Sequence, residues 1–580
     1  MFRILTAISF SLLLCLYSGV IAPSCTADNR SPSQIKFPKD KWVYMNNPLR
    51  TTDNLSSAES TASDAKSHGL NGIALSGGLD TVTKWSKPNI DNLREFKSYC
   101  DGIGIEIIPM IFSAGYGGAV LNHNPNLAEA LPFVDAPFTV HGNVASADVY
   151  AGNLIDNPGF ELVDSKSGTL LGFDLLEKLN EIVLLDQNVK HSGNVSVRLE
   201  NFKKNPYGHA RIVKVLDLHP YSEYQFTCWV KTDSVTPVDS MKVVVYQSDM
   251  KRMLPSEYFA APPKGTQDWT RFTFRFKTVE QTSGRLYMGT WGAKSGRMWI
   301  DDIEVVEMSP ARDIVRRPGT PITVRSADRN LTFNEGIDFE PVPELKGNAY
   351  LEGPQVEIHL IANSRIKPEE KLLISGYSVA RLMSLGHHQI PVCMSEEETY
   401  QIWTDEVNAL YGVLKMKKAF LSMDEIRAGG SCKACKDRNM TMAQILGDCF
   451  TRQMKILRAL DPNMEIYTWS DMLDPNTNAR DNYFYVDGSY YGSWNYVPKD
   501  LIMVAWVYAK RTESLRFFSE NGFQTMGAPY YDKKSLADTI DWYKEVAQTP
   551  QSIGIMYTTW INDYSYLIPF ADYLQSQQKK

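Results

Sequence analysis

Positive charge is in deficit: 60 Lys and Arg face 67 Asp and Glu, a formal balance of −7. No basic tract is present to neutralise phosphates, so nucleic acid is excluded as a partner. Cysteine is scarce at 8 of 580 residues, too few for a disulfide-built scaffold. After the first residues no run is long and apolar enough to span a bilayer, so no transmembrane segment is expected. Disorder is excluded by a hydrophobic share of 43% against 22% charged. What the chain has in quantity is aromatic surface, with 12 Trp and 29 Tyr. Aromatic faces fill cores, and they also stack on sugars.

The length exceeds one ordinary core, so two or three domains are expected. The start reads as an export signal over residues 1–25: Arg3 is followed by an apolar stretch from Ile4 to Ala22 and then small residues. Export to the periplasm or outside the cell follows. Ala22-Pro23-Ser24-Cys25 leaves a lipid anchor on Cys25 as a second reading, and the proline favours plain export. Of the other cysteines, Cys432-Lys433-Ala434-Cys435 is the notable pair, with Cys393 and Cys449 near it in sequence. Zinc and one or two disulfides are both open there; a single CxxC favours a structural clamp or free thiols.

Periodicity divides the mature chain. Lys41–Asn46, Gly72–Ser76 and Gly104–Phe112 are apolar strands alternating with helical stretches, which implies parallel strands with helical crossovers. From about residue 151 to 308 only strands are predicted, separated by turns, as in an antiparallel sandwich. Residues 309–389 contain further strand-like pieces and are assigned to a small β insert. Alternation then resumes: a helix from Ser395 with a capping box to Glu398, then strands ending at Asp424, Trp469, Trp506, Pro529 and Trp560. The first three strands (38–150) and these five (390–575) total eight, the number that closes a (β/α)8 barrel with its site at the C-terminal strand ends. The expected fold class is α/β, a TIM-type barrel interrupted by an all-β jelly roll and a smaller β segment.

Within the sandwich stretch, Asn153 to Glu161, His191-Ser192-Gly193, Val195 to Leu199, Tyr224 to Lys231 and Trp299 to Val305 resemble the family 4/9 carbohydrate-binding modules. The resemblance implies a jelly roll that holds sugar on aromatic side chains or props up its neighbour. It also implies a structural calcium ion, with Glu161 and Asp301 as ligands.

The barrel stretch centres on Lys417 to Arg427, a short apolar run ending in the adjacent acids Asp424 and Glu425. Two neighbouring carboxylates in a partly dry cleft do not both ionise easily, so one becomes a proton donor and the other a standing anion. Glycoside hydrolysis needs that division of labour. Arg50, Trp469, Asp471, Trp506, Tyr530, Tyr531 and Trp560 fall at or beyond other strand ends and are expected to bind substrate. The Asp-Glu pair, Trp469 with Asp471, and the strand ending at Trp560 resemble the family 20 glycoside hydrolases, the β-N-acetylhexosaminidases. Ser422-Met423 stands where that family usually has glycines. The resemblance implies a retaining, substrate-assisted reaction on N-acetylhexosamine glycans. Glu425 would be general acid/base and Asp424 would stabilise the attacking acetamido group, with no cofactor required for catalysis.

Successive residues of a regular strand point to opposite faces. Both acids therefore serve one site only if the strand breaks before them. Two rival functions are a double-displacement glycosidase with a protein nucleophile and an inert carbohydrate-binding protein.

Overall fold

The computed structural model describes residues 37–578 apart from 149, 151, 259–262, 354, 385–386 and 531. Residues 1–25, read from the sequence as an export signal, and the candidate Tyr531 lie outside the described residues. Among the described residues no helix is long and apolar enough to cross a membrane.

Eight parallel strands close into a barrel: β1 (Asp40–Asn46), β2 (Gly72–Ser76), β3 (Glu106–Ile111), β4 (Lys418–Leu421), β5 (Glu465–Trp469), β6 (Leu501–Ala505), β7 (Thr525–Gly527) and β8 (Ser552–Tyr557). Closure is made by β1 on β8, with Asp40 opposite Gly554. Alternation within each strand sorts the side chains. Trp42 and Tyr44 enter an inner cluster with Ile108, Phe420, Tyr467, Trp469 and Met556. Val43 and Met45 join an outer cluster against the helices. At the N-terminal end, Lys418 Nζ lies 2.9 Å from Asp40 and 3.2 Å from Glu106, and the Tyr467 hydroxyl donates to Asp40 at 2.8 Å.

Helices α1 (Thr52–Ser67), α2 (Lys87–Ile103), α3 (Glu397–Leu414), α4 (Met442–Leu460), α5 (Arg511–Glu520), α6 (Ala537–Gln548) and α7 (Leu567–Gln578) follow their strands. The link from β5 to β6 is different: in the described structure it holds only 3-10 turns and a two-residue strand. A helix start is also corrected. Glu396, not Ser395, is the N-cap of α3, and it makes no side-chain capping bond; Ser395 instead lies within reach of Cys435. The reciprocal box stands at Thr441 and Gln444 of α4.

Between β3 and β4 the chain builds two antiparallel units. A six-stranded sheet (183–186, 196–199, 223–236, 256–258, 267–277, 295–308) and a four-stranded sheet (175–176, 210–217, 241–247, 283–290) share an apolar core containing Phe226, Val243, Phe274, Leu286 and Ile300. The second unit is a sheet in which Ala130–His141 pairs with Lys371–Val379, joined by Val144–Ala147, Thr323–Ser326 and shorter strands. Its outgoing and returning chains are thus side by side, which places the whole excursion on one rim of the barrel. The fold is mixed α/β, a closed eight-strand parallel barrel with antiparallel sandwich-like sheets.

Candidate functional site

β4 ends at Leu421, three residues before Asp424, so the pair lies past the pleat. Glu425 adopts φ 50°, in the left-handed region. The strict alternation that would separate consecutive side chains is broken at this point. A residue held there needs external support, and the neighbours supply it. The Glu425 N–H donates to Asp471 Oδ2 at 3.0 Å. Its carbonyl accepts from Gln389 Nε2 at 2.7 Å, and the same amide nitrogen donates to the Gly115 carbonyl at 3.0 Å. Gly115 lies against the preceding peptide: a Cβ there would stand 2.1 Å from the Asp424 carbonyl oxygen, so only glycine fits.

The two carboxylates sit in different surroundings. Glu425 Oε2 accepts from the Tyr116 hydroxyl at 2.6 Å and lies 2.8 Å from Arg427 Nη2. Arg427 is itself positioned by Gln389 Oε1 at 2.5 Å and by the Phe484 ring, 4.9 Å away. Burial and the charges of both acids push the Tyr116 phenol up, which keeps it an O–H donor. The Glu425 carboxyl is thereby fixed in direction by two donors. No basic group contacts Asp424 among the described hydrogen bonds and ion pairs. Burial first, then the charges of Asp471 and Glu425, push its carboxyl well above the usual carboxylate range. Asp471 is pushed up to about 6, mainly by burial, while its bonds from Glu425 and Asn478 oppose the shift. The sequence assigned the proton to Glu425 and the charge to Asp424; in the structure burial favours a proton on Asp424.

The aromatic candidates divide. Trp469 is buried in the inner cluster, with its ring 5.7 Å from Trp560, and Trp560 lies 5.2 Å from Tyr44. Trp560 keeps 37% of its surface exposed, as an open wall requires. Trp506 donates through Nε1 to Asp471 Oδ1 at 3.4 Å. Burial, with Asp424 adding to it, raises the Tyr44 phenol to about 12. These four aromatics and the three acids share one rim. Arg50 is exposed on the loop after β1, beside Gly78 of the loop after β2.

Tyr530 is a correction. It is fully buried, stacks on Tyr557 at 4.4 Å within the outer cluster and donates to Asp563 at 2.9 Å, so it braces the β8 end and does not hold substrate. Sequence reasoning missed Tyr116, Arg427, Gln389 and Gly115. The Gly115-Tyr116-Gly117-Gly118 loop was visible as an interruption after β3, and nothing in its composition identifies Tyr116 as a partner of Glu425.

In the sandwich, Glu161 and Asp301, the ligands implied for calcium, both bond to backbone N–H groups. Glu161 Oε1 accepts from the N–H groups of Asn194 and Val195 at 2.6 and 3.2 Å, and Oε2 accepts from Asn194 Nδ2 at 3.2 Å. Asp301 Oδ2 accepts from His191 and Ser192 at 2.8 and 3.2 Å, and Oδ1 accepts from the Asp302 N–H at 2.8 Å. Three of the four oxygens bond to the 191–195 turn and the fourth to the Asp302 N–H. The four-stranded sheet carries a separate half-buried platform. There Arg211, bound through two bonds to Glu177 at 2.6 and 3.1 Å, lies 5.6 Å from the rings of both Tyr287 and Trp291.

No family model matches the chain, and no curated protein matches it. Among solved structures it is similar to the CBM22-1 xylan-binding domain of Paenibacillus barcinonensis Xyn10C, at 13% identity over 28% of this chain and 100% of that one, TM-score 0.23. It is also similar to TmCBM61 in complex with β-1,4-galactotriose, at 16% identity over 27% and 98%, TM-score 0.20. A family 16 carbohydrate-binding module is similar at 17% identity over 27% and 99%, TM-score 0.19. Likeness of this extent carries no argument about function, which rests on the residues themselves.

Proposed function

We propose that this protein is an exported glycoside hydrolase with a (β/α)8-type barrel, acting on glycans that contain N-acetylhexosamine. The observation that supports it is the unequal pair at the end of β4: Asp424, a carboxyl raised by burial, beside Glu425, whose carboxyl is bonded by Arg427 and Tyr116. Asp424 donates its proton to the glycosidic oxygen as that bond breaks. The substrate's 2-acetamido oxygen attacks the anomeric carbon, and the Glu425 carboxyl faces the positive charge that spreads onto the acetamido nitrogen. Water then attacks the same carbon, giving its proton to Asp424 and releasing the acetamide, so the configuration is retained. Trp506 and Trp560 wall the sugar, and the buried Trp469 backs Trp560.

The test is turnover of aryl β-glycosides by the full protein. Turnover confined to 2-acetamido sugars, lost in Asp424→Asn and Glu425→Gln variants with unchanged circular dichroism, is expected. Equal turnover of 2-hydroxy sugars would point to a protein nucleophile, and absence of turnover across the panel would overturn the reading.

A second reading, a sugar-binding protein with an inert barrel, is favoured by the Arg211, Tyr287 and Trp291 platform. Stacking rings and a planar cation suit a pyranose face. Retained glycan binding without turnover would select it.

A further inference from the structure

Three cysteines and one acid from well-separated segments meet behind the β4 loop. Cys432 precedes, and Cys435 lies on, the short helix Lys433–Asp437; Cys393 precedes α3; Glu129 stands at the root of the second insert. All four are buried, and their ligand atoms lie within 4.8 Å of one another. Cys393 Sγ is 3.6 Å from Cys432 Sγ and 3.8 Å from Cys435 Sγ, and Cys435 Sγ is 3.9 Å from Glu129 Oε1.

These separations distinguish between two chemistries. A disulfide sets its sulfurs about 2.05 Å apart, and all six described cysteines are free. A tetrahedral ion with metal–sulfur bonds of about 2.3 Å sets them about 3.8 Å apart, the edge of that tetrahedron. The second of these is what the cluster has. The acid is oriented for it: Glu129 Oε2 accepts from the Ala130 N–H at 3.3 Å, leaving Oε1 as the oxygen nearest Cys435. Charge is arranged for it as well. Arg317 donates to the Ala128 carbonyl at 2.7 Å and to Glu396 at 2.9 Å, and its guanidinium interacts with Cys393, Cys432 and Glu129. A cation there offsets the net negative charge of three thiolates and a carboxylate around one divalent ion.

We propose that Cys393, Cys432, Cys435 and Glu129 form a closed structural site for a zinc-class divalent cation. Thiolate ligands select such a soft-accepting ion over calcium or magnesium. With four protein ligands and no exposed face, the site has no open position for substrate water. The ion pins together the loop that carries Glu425 and Arg427, the start of α3 and the base of the inserts. On binding, each thiol that coordinates loses its proton to solvent.

Metal content is read without turnover, so the test is independent of the hydrolase proposal. Full-length protein produced with zinc and purified without chelator should hold about one zinc per chain by elemental mass spectrometry. Cys432→Ser should lose it, while Cys449→Ser, at a buried cysteine outside the cluster, should keep it. If Cys432→Ser does not fold, cobalt exchanged into the wild-type protein should give an intense thiolate-to-cobalt absorption band. Metal-free folded protein, with these thiols all alkylated on unfolding or with a mass two hydrogens low before reduction, would overturn the proposal.

Discussion

Arg427 Nη2 stands 2.8 Å from Glu425 Oε2, two residues along the chain, and its other terminal nitrogen donates to Gln389 Oε1 at 2.5 Å. The cation therefore fixes the direction of the acid. Arg427→Ala removes the partner that aims the carboxyl. On the proposed reaction it should lower kcat/KM about 10²-fold. Arg427→Lys, which keeps charge without the planar fork, should lose less activity. An unchanged kcat/KM in the alanine variant would remove Arg427 from the working site.

Asp424 sets the basic limb of the rate profile. Its carboxyl holds its proton above the usual range, so the rate should fall as pH rises through its folded titration. Asp424→Asn should abolish that limb together with about 10²- to 10⁴-fold of kcat. A basic limb that survives in the variant would assign the donated proton to another group.

Asp471 contributes to stability with a definite sign. Its folded pKa of about 6 exceeds the ordinary 3.8, so the folded protein binds more protons than the unfolded chain between those values. The stabilisation is complete below about pH 4 and is lost as pH rises through about 6, an effect on the order of 3 kcal/mol. Urea unfolding at both ends of that window should show the loss in the wild type and a flatter profile in Asp471→Asn. Equal slopes in the two proteins would contradict it.

Gly115→Ala inserts a Cβ 2.1 Å from the Asp424 carbonyl oxygen. The backbone must shift, at a cost of about 1–3 kcal/mol. Activity measured well below the melting temperature should fall as well, because the displaced peptide is the one that carries the acid pair. Loss of melting temperature alone would show that the close approach is purely architectural.

At the opposite end of the barrel, Lys418→Met leaves Asp40 with 1% side-chain exposure and no cation. The expected loss is about 3–5 kcal/mol, with activity per folded molecule unchanged. Adding Asp40→Asn should restore a large part of the melting temperature.

The barrel was legible because each parallel strand is buried on both faces and reads as an unbroken apolar run. Gly72–Ser76 and Glu465–Trp469 match their expected bounds, and β6 and β8 differ from theirs by a few residues at the ends. The sandwich strand Met241–Gln247 was legible from turn spacing. The acid pair and Trp560 stood out because polar and aromatic residues follow apolar runs at one strand end. Gln389, Tyr116 and Gly115 were hidden, since each reaches Glu425 or Asp424 across long sequence separation and none has a local signature. Tyr530 misled for a related reason: a tyrosine after a strand faces either the rim or the helices, and stacking on Tyr557 decides which. The grouping of Glu129 with Cys393 depends on tertiary closure alone.

The sandwich is gripped where the acid loop is supported. Arg252 donates to Asn482 at 2.9 Å and to the Val486 carbonyl at 3.2 Å, and the Tyr485 hydroxyl donates to the Leu254 carbonyl at 2.7 Å. Between these anchors is Phe484, the ring against Arg427. Excising 152–308 would therefore not yield a trimmed barrel with an intact mouth, because it would take away the bracket behind its own cation. The two folds are inseparable parts, and recombination that exchanged one for a foreign module would have to rebuild that seam.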